Sequence, residues 1–380
     1  MRVIVVGAGI FGASAAYHLA RAGAEVTIVD AAHEGRATAA GAGIICPWAS
    51  SVQDPTFYAL YEAGARYYPK LVAALGELGE RDTGYARVGA LCVGADEGAL
   101  DAIEGVVRRR AEAAAEAGEI SRLGASEARA LFPPLRPGLG AVSVSGGARV
   151  DGRKITASLL GAAERLGALR REGTAALEVA GGAVRGVRLG EERLAADRVV
   201  VTAGAWAPAL LKPLGRDLAI APQRGQIVHL RLPGRDTGAW PVVLPMSSYY
   251  LLAFADGRVV VGATRENHVG FDYRVTAGGL AEVLAEALRV APGLRDATLL
   301  ETRIGFRPLG PDHRPMLGDV AGIAGLLVGN GLGAAGLTIG PFAGRMLAEL
   351  ALGKAPEIDV SPFAPAMGDA GMGAAHPALR

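Results

Sequence analysis

The sequence predicts an α/β protein in which a helix-flanked parallel sheet is interrupted by a second, mostly antiparallel sheet. Three observations support this prediction. The chain opens with the pattern strand, glycine turn, helix, strand. Helical and strand patterns alternate at both ends of the chain, whereas strands linked by short turns dominate its middle. The length of 380 residues exceeds a single typical core and favours two domains.

The opening segment predicts a dinucleotide-binding βαβ unit. Residues 3–6 form an apolar, β-branched run that leads directly into the glycine-rich turn of residues 7–12. A helical pattern covers residues 13–22, and a second β-rich run, residues 25–29, ends on an acid. A glycine pattern of this kind indicates a nucleotide site only when it follows a strand and opens a helix, and this segment meets that condition.

Each characteristic residue of this unit has a physical reason. Gly7 permits the tight turn, Gly9 allows a pyrophosphate to approach the backbone, and Gly12 allows close packing of helix and sheet. The helix N-terminus offers free N–H groups and a partial positive charge to phosphates. Asp30 can accept hydrogen bonds from ribose hydroxyls, and it favours FAD or NAD over NADP because it would repel a 2′-phosphate.

The remaining elements follow from hydrophobic periodicity and turn residues. Helices are predicted over residues 58–79, 99–118, 155–166, 276–290 and 337–352. Strands are predicted over residues 86–94, 197–202, 226–232, 249–255 and 258–262, with two more inside 172–189. Asp256-Gly257 predicts a hairpin turn between the last two strands.

These elements predict a discontinuous domain organisation. The nucleotide-binding domain comprises residues 1–85, 140–220 and 300–363, and the substrate domain comprises residues 86–139 and 221–299. The remaining residues, 364–380, are rich in Ala, Met, Gly and Pro and are predicted to form a disordered tail.

Composition narrows the class of protein. The formal net charge is +1 and no basic block stands out, so nucleic acid is not expected as a partner. Two cysteines, Cys46 and Cys92, cannot build a disulfide framework, which indicates a reducing, cytoplasmic compartment. The sequence predicts no metal site, no signal peptide and no transmembrane segment.

A second glycine cluster, residues 329–336, also fits the pattern GxGxxG. The chain ends too soon afterwards for another βαβ unit with a terminal acid. We therefore expect a glycine loop whose following helix points its N-terminus at the same cofactor.

These segments together resemble the FAD-dependent oxidoreductases of the D-amino-acid oxidase, glycine oxidase and D-amino-acid dehydrogenase family. The segments that carry the resemblance are residues 7–12, Asp30, 38–43, 201–206, 224–226, 260–264, 305–308, 311–312 and 336–338. The resemblance implies a glutathione-reductase-type FAD-binding Rossmann domain, a mostly antiparallel substrate domain and a non-covalently bound FAD.

The same resemblance implies a set of cofactor-binding residues. They are Gly7, Gly9, Ile10, Phe11, Gly12, Asp30, Ala31, Arg36, Thr38, Ala39, Ala40, Gly43, Ile44, Ala176, Ala203, Gly204, Trp206, Arg307, Gly333, Ala334, Ala335, Gly336, Leu337 and Thr338.

For the substrate, the resemblance implies that Arg307 clamps a carboxylate and that Tyr250 assists it, both as catalytic residues. Tyr249, Cys46 and Ala334 are the further substrate-binding residues. Ala334 stands where some glycine oxidases have a second arginine. This departure favours a D-amino-acid dehydrogenase or oxidase with a less cationic pocket.

The implied reaction is oxidative deamination of D-amino acids to 2-oxo acids and ammonia, with hydride transfer from Cα to flavin N5. Alternatives on the same fold are a glycine, sarcosine or other secondary-amine oxidase, a 2-hydroxy-acid oxidase, and a non-catalytic FAD-binding subunit. The electron acceptor is oxygen, a quinone or another carrier. Oligomeric state, with a homo-oligomer as one option, and peripheral contact with the inner face of the membrane are left open.

Overall fold

The computed structural model describes residues 1–369 of the chain. The helices in this range are α1 (Ile10–Arg21), α2 (Ala37–Ala40), α3 (Pro55–Glu77), α4 (Glu97–Ala111), α5 (Ala125–Leu131), α6 (Gly152–Arg165), α7 (Ala207–Leu211), α8 (Ala277–Val290) and α9 (Gly336–Ala351). Its strands are β1 (Arg2–Val6), β2 (Glu25–Asp30), β3 (Ile44–Ile45), β4 (Ala86–Arg87), β5 (Ala90–Gly94), β6 (Ile120–Leu123), β7 (Gly140–Val144), β8 (Ala148–Arg149), β9 (Leu169–Glu172), β10 (Ala175–Ala180), β11 (Ala183–Leu189), β12 (Glu192–Ala195), β13 (Arg198–Val201), β14 (Arg216–Leu218), β15 (Ala221–Arg231), β16 (Val242–Pro245), β17 (Tyr250–Ala253), β18 (Arg258–Gly262), β19 (Thr298–Leu309), β20 (Met316–Asp319), β21 (Leu326–Asn330) and β22 (Met367–Asp369).

The first large sheet has six strands in the order β20-β21-β13-β1-β2-β9. All of its neighbouring pairs are parallel except β20 with β21. Val3 and Val5 pack into a core shared with α1, α3, α6 and α9, whereas Ile4 and Val6 pack into a core shared with α7 and the small sheet β10-β11-β12. Because both faces of the sheet are covered, β1 is apolar from Val3 to its end.

The second large sheet has eight strands in the order β19-β15-β18-β17-β16-β5-β7-β6. Its pairs are antiparallel except β16 with β5. One face packs on α5 and α8, which bury an apolar core that includes Val228, Val261, Phe132 and Val283. The fold is therefore the mixed α/β architecture expected, with a Rossmann sheet and a mostly antiparallel sheet.

The register of the second sheet sets which side chains meet. Asp256 and Gly257 both have positive φ, as the predicted hairpin turn between β17 and β18 requires. This turn pairs Tyr250 with Gly262. On the other side of β18, β15 pairs with β19, which places Gln223 opposite Arg307.

Three predicted elements differ from the structure. The predicted strand 86–94 is two strands, β4 and β5, that join different sheets because Gly89 between them has φ +80°. The predicted helix 99–118 ends at Ala111. The tail was expected to be disordered from residue 364, but β22 pairs antiparallel with β14; residues 370–380 lie outside the described part of the chain.

Two of the predicted domain boundaries do not coincide with the limits of the sheets. The boundary at residue 140 assigns β7 to the nucleotide-binding domain, and the boundary at residue 300 cuts β19, yet both strands belong to the eight-stranded sheet. The division into two domains stays a prediction. Within residues 1–369, no helix combines the length and the apolar character needed to cross a bilayer.

Candidate active site

A cavity of about 660 Å³ is lined by residues of both large sheets. The Rossmann sheet contributes the carboxyl ends of β1 and β2, the turn after β13 and the end of β21. The antiparallel sheet contributes β15, β16, β17 and β19. The volume lies in the usual range of ligand sites, and the carboxyl ends of parallel strands are where α/β sheets bind ligands.

Close contacts around the opening turn explain why it is rich in glycine. A Cβ on Gly7 would lie 2.6 Å from the Thr202 carbonyl oxygen, and one on Gly12 would lie 1.9 Å from the carbonyl oxygen of Gly7. Helix α1 begins at Ile10, and its N-cap, Gly9, has no side chain to cap the first N–H groups. The Ile10 N–H donates to Thr38 Oγ1 at 3.1 Å. The positive end of the helix lies at the cavity, where it favours an anionic ligand.

Asp30 is held firmly at the end of β2. Its carboxylate accepts hydrogen bonds from the backbone N–H of Ala8 at 2.6 Å and of Ala32 at 2.7 Å. Arg36 Nη1 lies 3.3 Å from the same carboxylate. Because an ionised carboxylate has about four lone-pair sites, acceptor capacity remains for a ligand hydroxyl.

At the other sheet, Arg307 and Tyr250 lie together in the cavity wall. Arg307 Nη1 donates to the Thr264 carbonyl oxygen at 3.1 Å and to Gln223 Oε1 at 3.3 Å. Burial lowers the pKa of the Arg307 guanidinium, while neighbouring Tyr250 raises it. A Cβ on Gly225 would lie 2.6 Å from Arg307 Nη2, so the guanidinium occupies the space above a glycine.

A second arginine, Arg265, lines the same part of the cavity. Burial raises the pKa of Tyr250, and the charges of Arg307 and Arg265 lower it. Among residues 1–369, no carboxylate pairs with Arg265 or Arg307. The lining of the cavity thus contains a second guanidinium, from the exposed Arg265 in the segment after β18, although Ala334 is not an arginine. The less cationic pocket stays a prediction.

The structure separates the two neighbouring tyrosines. Tyr250 lines the cavity, but Tyr249 does not, and its hydroxyl hydrogen bonds to Glu282 of α8. Successive side chains in an extended segment point to opposite faces, so only one of the pair can reach the site. Cys46 and Ala334 both line the cavity, and burial raises the pKa of the Cys46 thiol to about 12.

Most of the residues predicted to bind a cofactor line this cavity. They are Gly7, Gly9, Ile10, Phe11, Asp30, Ala31, Arg36, Thr38, Ala40, Gly43, Ile44, Ala176, Ala203, Gly204, Trp206, Arg307, Gly333, Ala334, Gly336 and Leu337. Gly333 and Gly336, from the second glycine cluster, thus share the cavity of the first.

Four predicted cofactor residues do not line it: Gly12, Ala39, Ala335 and Thr338. Gly12 is packed beneath the opening turn. The Ala39 carbonyl oxygen instead accepts a hydrogen bond from Arg153 Nε at 3.0 Å. Thr338 is 1% exposed and donates to a backbone carbonyl of β3. These residues support the walls rather than form their surface.

Comparison with known families agrees with this geometry. The family model DAO, described as FAD dependent oxidoreductase, matches residues 2–350. The chain belongs to the DAO family. Its cofactor is therefore FAD, and it is an oxidoreductase.

DAO-family relatives align over nearly the whole chain. The chain is 52% identical to the uncharacterized oxidoreductase YurR of Bacillus subtilis, over 96% of this chain and 98% of that protein. It is 32% identical to a glycine oxidase of Pseudomonas aeruginosa, again over 96% and 98%. The crystal structure of iminodiacetate oxidase from Chelativorans sp. BNC1 superposes with a TM-score of 0.94, at 55% identity, over 96% and 99%.

The cavity of this DAO-family protein fits FAD on its own evidence. The positive N-terminal end of α1, the Gly9 backbone and Asp30 provide the partners that a pyrophosphate and a ribose require. The same cavity extends from these groups to Tyr250 and Arg307. When bound, FAD supplies a two-electron acceptor for oxidation of a substrate.

Several cavity residues were missed by reading the sequence. Arg265 directly follows the family-like segment 260–264, so its position was the available signal. Tyr61, on α3, lines the cavity, and burial raises its pKa to about 12. His33 stacks on Trp206 with ring centroids 4.7 Å apart. No local pattern distinguishes Tyr61 or His33 from other helix and loop residues.

Proposed function

We propose that this DAO-family protein oxidises a small secondary amine that carries two carboxylates, of the iminodiacetate type. Oxidation at one carbon–nitrogen bond followed by hydrolysis of the imine would release glyoxylate and glycine. The alternative of a secondary-amine oxidase, already left open by the sequence, thus becomes the leading candidate.

The observation that carries this proposal is the pair of guanidinium groups in the cavity. Arg265 and Arg307 line the same cavity, and both influence the pKa of Tyr250. Asp30 is the one acid among the described lining residues, and it is already bonded at the nucleotide end. Two uncompensated cations favour a substrate with two carboxylates over one with a single carboxylate.

Each residue has a distinct role in this proposal. Arg307, held by Thr264 and Gln223, would bind one carboxylate through its rigid fork of donors. Tyr250 keeps its proton because burial raises its pKa, so its hydroxyl can donate to the same carboxylate. Arg265, which is exposed, would bind the second carboxylate. Holding both ends of the substrate fixes the carbon that is oxidised.

The 55% identity to iminodiacetate oxidase supports this choice of substrate, because the two chains align over nearly their whole lengths. Oxidation of D-amino acids is the second candidate. The observation in its favour is that Arg307 and Tyr250 alone suffice for a single α-carboxylate. Cytoplasmic location, oligomeric state and the acceptor, oxygen or a quinone, also stay proposals.

The proposal is tested by anaerobic reduction of the FAD-loaded protein, followed as loss of flavin absorbance. The panel contains iminodiacetate, glycine, sarcosine, D- and L-amino acids and 2-hydroxy acids. We expect iminodiacetate to reduce the flavin at the lowest concentration. Faster reduction by D-alanine than by iminodiacetate would reject the proposal in favour of the second candidate. Admitting air afterwards tests oxygen as acceptor.

Two variants separate the roles of the arginines. Arg307→Ala should lower kcat/KM for every amino acid in the panel by about 100-fold or more, since it removes a charge-assisted bidentate contact. Arg265→Met should lower kcat/KM at least tenfold for iminodiacetate but less than threefold for glycine. A tenfold loss corresponds to roughly 1.4 kcal/mol of transition-state stabilisation. Equal losses for both substrates in Arg265→Met would remove the dicarboxylate assignment.

A further inference from the structure

One wall of the cavity is a segment with little regular structure. We call residues 46–52 the wall segment; it contains a single 3-10 turn, Pro47–Ala49. Cys46, Ala49 and Ser50 of this segment line the cavity. Ala49 also packs against the same small apolar cluster as Leu244, a residue of β16 that likewise lines the cavity. The shape of the wall segment therefore helps to set the width of the site.

The wall segment is fastened from outside by a residue of α4, Arg110. Its guanidinium donates hydrogen bonds to four backbone carbonyl oxygens of the segment. The acceptors and donor–acceptor distances are Pro47 at 3.4 Å, Trp48 at 3.1 Å, Ser50 at 2.7 Å and Val52 at 2.5 Å. The same guanidinium lies 4.3 Å from the ring centre of Tyr58 on α3. Burial lowers the pKa of Arg110.

The polar side chains of this region do not hold the wall segment. Trp48 Nε1, Ser50 Oγ and Tyr58 Oη are buried and have no hydrogen-bond partner within residues 1–369. Unpaired buried polar atoms cost free energy rather than stabilise a conformation. The carbonyl oxygens of the segment, in contrast, converge on one cation. Arg110 is thus the principal polar anchor of this wall.

We propose that Arg110 is a positioning residue of the active site, which acts on the substrate through the wall segment. Arg110 does not itself line the cavity. Its charge influences the pKa of Tyr58, but it is not among the groups that shift the pKa of Tyr250 or Arg307. Its effect on the reaction is therefore geometric: it holds Cys46, Ala49 and Ser50 where the substrate meets them.

The test compares Arg110→Met with Arg109→Met in the FAD-loaded full chain. Arg109 is the neighbouring, exposed arginine of the same helix and serves as the matched control. Methionine keeps a long apolar side chain but removes all donors. Two quantities are measured: amide hydrogen exchange of peptides covering residues 46–52, and kcat and KM for the best amine of the panel.

We expect Arg110→Met to accelerate exchange in the wall segment at least tenfold and to lower kcat/KM by about 10- to 100-fold, with unchanged FAD content. Arg109→Met should match the wild type in both readouts. Unchanged exchange, or faster exchange with unchanged kcat/KM, overturns the inference. If Arg110→Met does not fold, Arg110→Lys replaces it; an ammonium has three donors for four carbonyls, so both readouts should change in the same direction but less.

The inference rests on the proposed function only for the choice of substrate. If iminodiacetate fails to reduce the wild type but another amine succeeds, the proposed function is rejected and the Arg110 comparison is made with that amine. If no amine succeeds, the proposed function fails, and unchanged exchange in the wall segment would overturn the Arg110 inference independently.

Discussion

Gly9 and Gly12 of the opening turn have different neighbours and should fail in different ways when substituted. A Cβ on Gly12 would overlap the Gly7 carbonyl oxygen at 1.9 Å and Thr202 Oγ1 at 2.4 Å. A Cβ on Gly9 would meet only Thr38 Oγ1, at 3.3 Å. Gly12 is therefore required by the packing of the protein, whereas the protein leaves room for a side chain at Gly9, where we expect the cofactor to set the limit.

We expect Gly9→Val to fold with nearly wild-type stability but to bind FAD at least 100-fold more weakly, because the side chain occupies the pyrophosphate position. Gly12→Ala should lose stability by about 2 kcal/mol or more and retain little folded, flavin-loaded protein. Gly278→Ala, at an open position of α8, is the control; it should leave FAD binding unchanged and should not lower stability, since alanine favours the helix by up to about 1 kcal/mol. Flavin absorbance and urea denaturation measure both; a yellow Gly9→Val protein would contradict the assignment.

The substrate residues illustrate the limit of reading single residues from the sequence. Arg307 could be singled out because of the family-like strand in which it lies and the chemistry of its guanidinium. The resemblance selected Tyr250 as the assisting tyrosine, but Tyr249 was also expected to bind substrate, because only the pairing of Tyr250 with Gly262 decides which ring faces the cavity. A one-residue change in that register would exchange their positions.

At the scale of elements, a buried polar network fixes the segment that carries Arg265. Arg224 of β15 is 4% exposed in its side chain and pairs with Glu266 at 2.5 Å and with Asp272 at 2.8 Å. Gln226 Nε2 donates to Glu266 Oε1 at 2.8 Å, and Thr264 Oγ1 donates to the same oxygen at 2.7 Å. The network thus joins β15 to both ends of the connection between β18 and α8.

Glu266→Gln should destabilise the fold by about 2 to 3 kcal/mol, near the lower end for breaking a buried ion pair, since Asp272 still compensates Arg224. We expect a lower urea midpoint and a raised KM for the dicarboxylic substrate, because Arg265 follows the anchored Thr264. The matched control is Glu286→Gln on the exposed face of α8, whose pair with Arg289 should contribute no more than about 0.5 kcal/mol. A Glu266→Gln midpoint equal to that of the control would show that the network is not needed.

Elements with strong local patterns were predictable, and their ends were less so. α1, α3, α6, α8 and α9 lie close to the predicted ranges because their apolar positions repeat with helical spacing. The strand predicted over residues 86–94 is divided by Gly89, because its two halves join different sheets. Nothing in the local pattern states that a continuous β-rich run serves two sheets.

At the scale of the whole molecule, two histidines make folding sensitive to acid: His229, which is buried, and His18, which is partly buried. Burial, followed in importance by the charges of neighbouring arginines, lowers the pKa of both His18 and His229 from 6.5 to about 3. Neither ring nitrogen of His229 has a hydrogen-bond partner within the described residues. In the unfolded chain both histidines titrate near their ordinary pKa, so between pH 6.5 and 3 the unfolded state binds more protons.

Stability should therefore be unaffected by these groups above pH 6.5 and should fall as pH decreases from 6.5 toward 3. At pH 5 each histidine accounts for about 2 kcal/mol of lost stability. His229→Phe, which cannot take up a proton, should make the decline from pH 7 to pH 5 shallower by about that amount in urea denaturation. His268→Asn, at an exposed loop position with positive φ, is the control and should leave the decline unchanged.

The chain alone determined the Rossmann unit, the family and the nucleotide end of the site, because these depend on residues close together in sequence. Strand, glycine turn, helix and Asp30 all fall within the first 30 residues. The opposite end of the cavity depended on tertiary structure. Arg265, Arg307 and Tyr250 come from distant segments, and they meet only because the pairing of β15, β17, β18 and β19 brings their side chains to one cavity. Local periodicity encodes which elements form, but sheet register and the crossing of chain segments decide which side chains share a site.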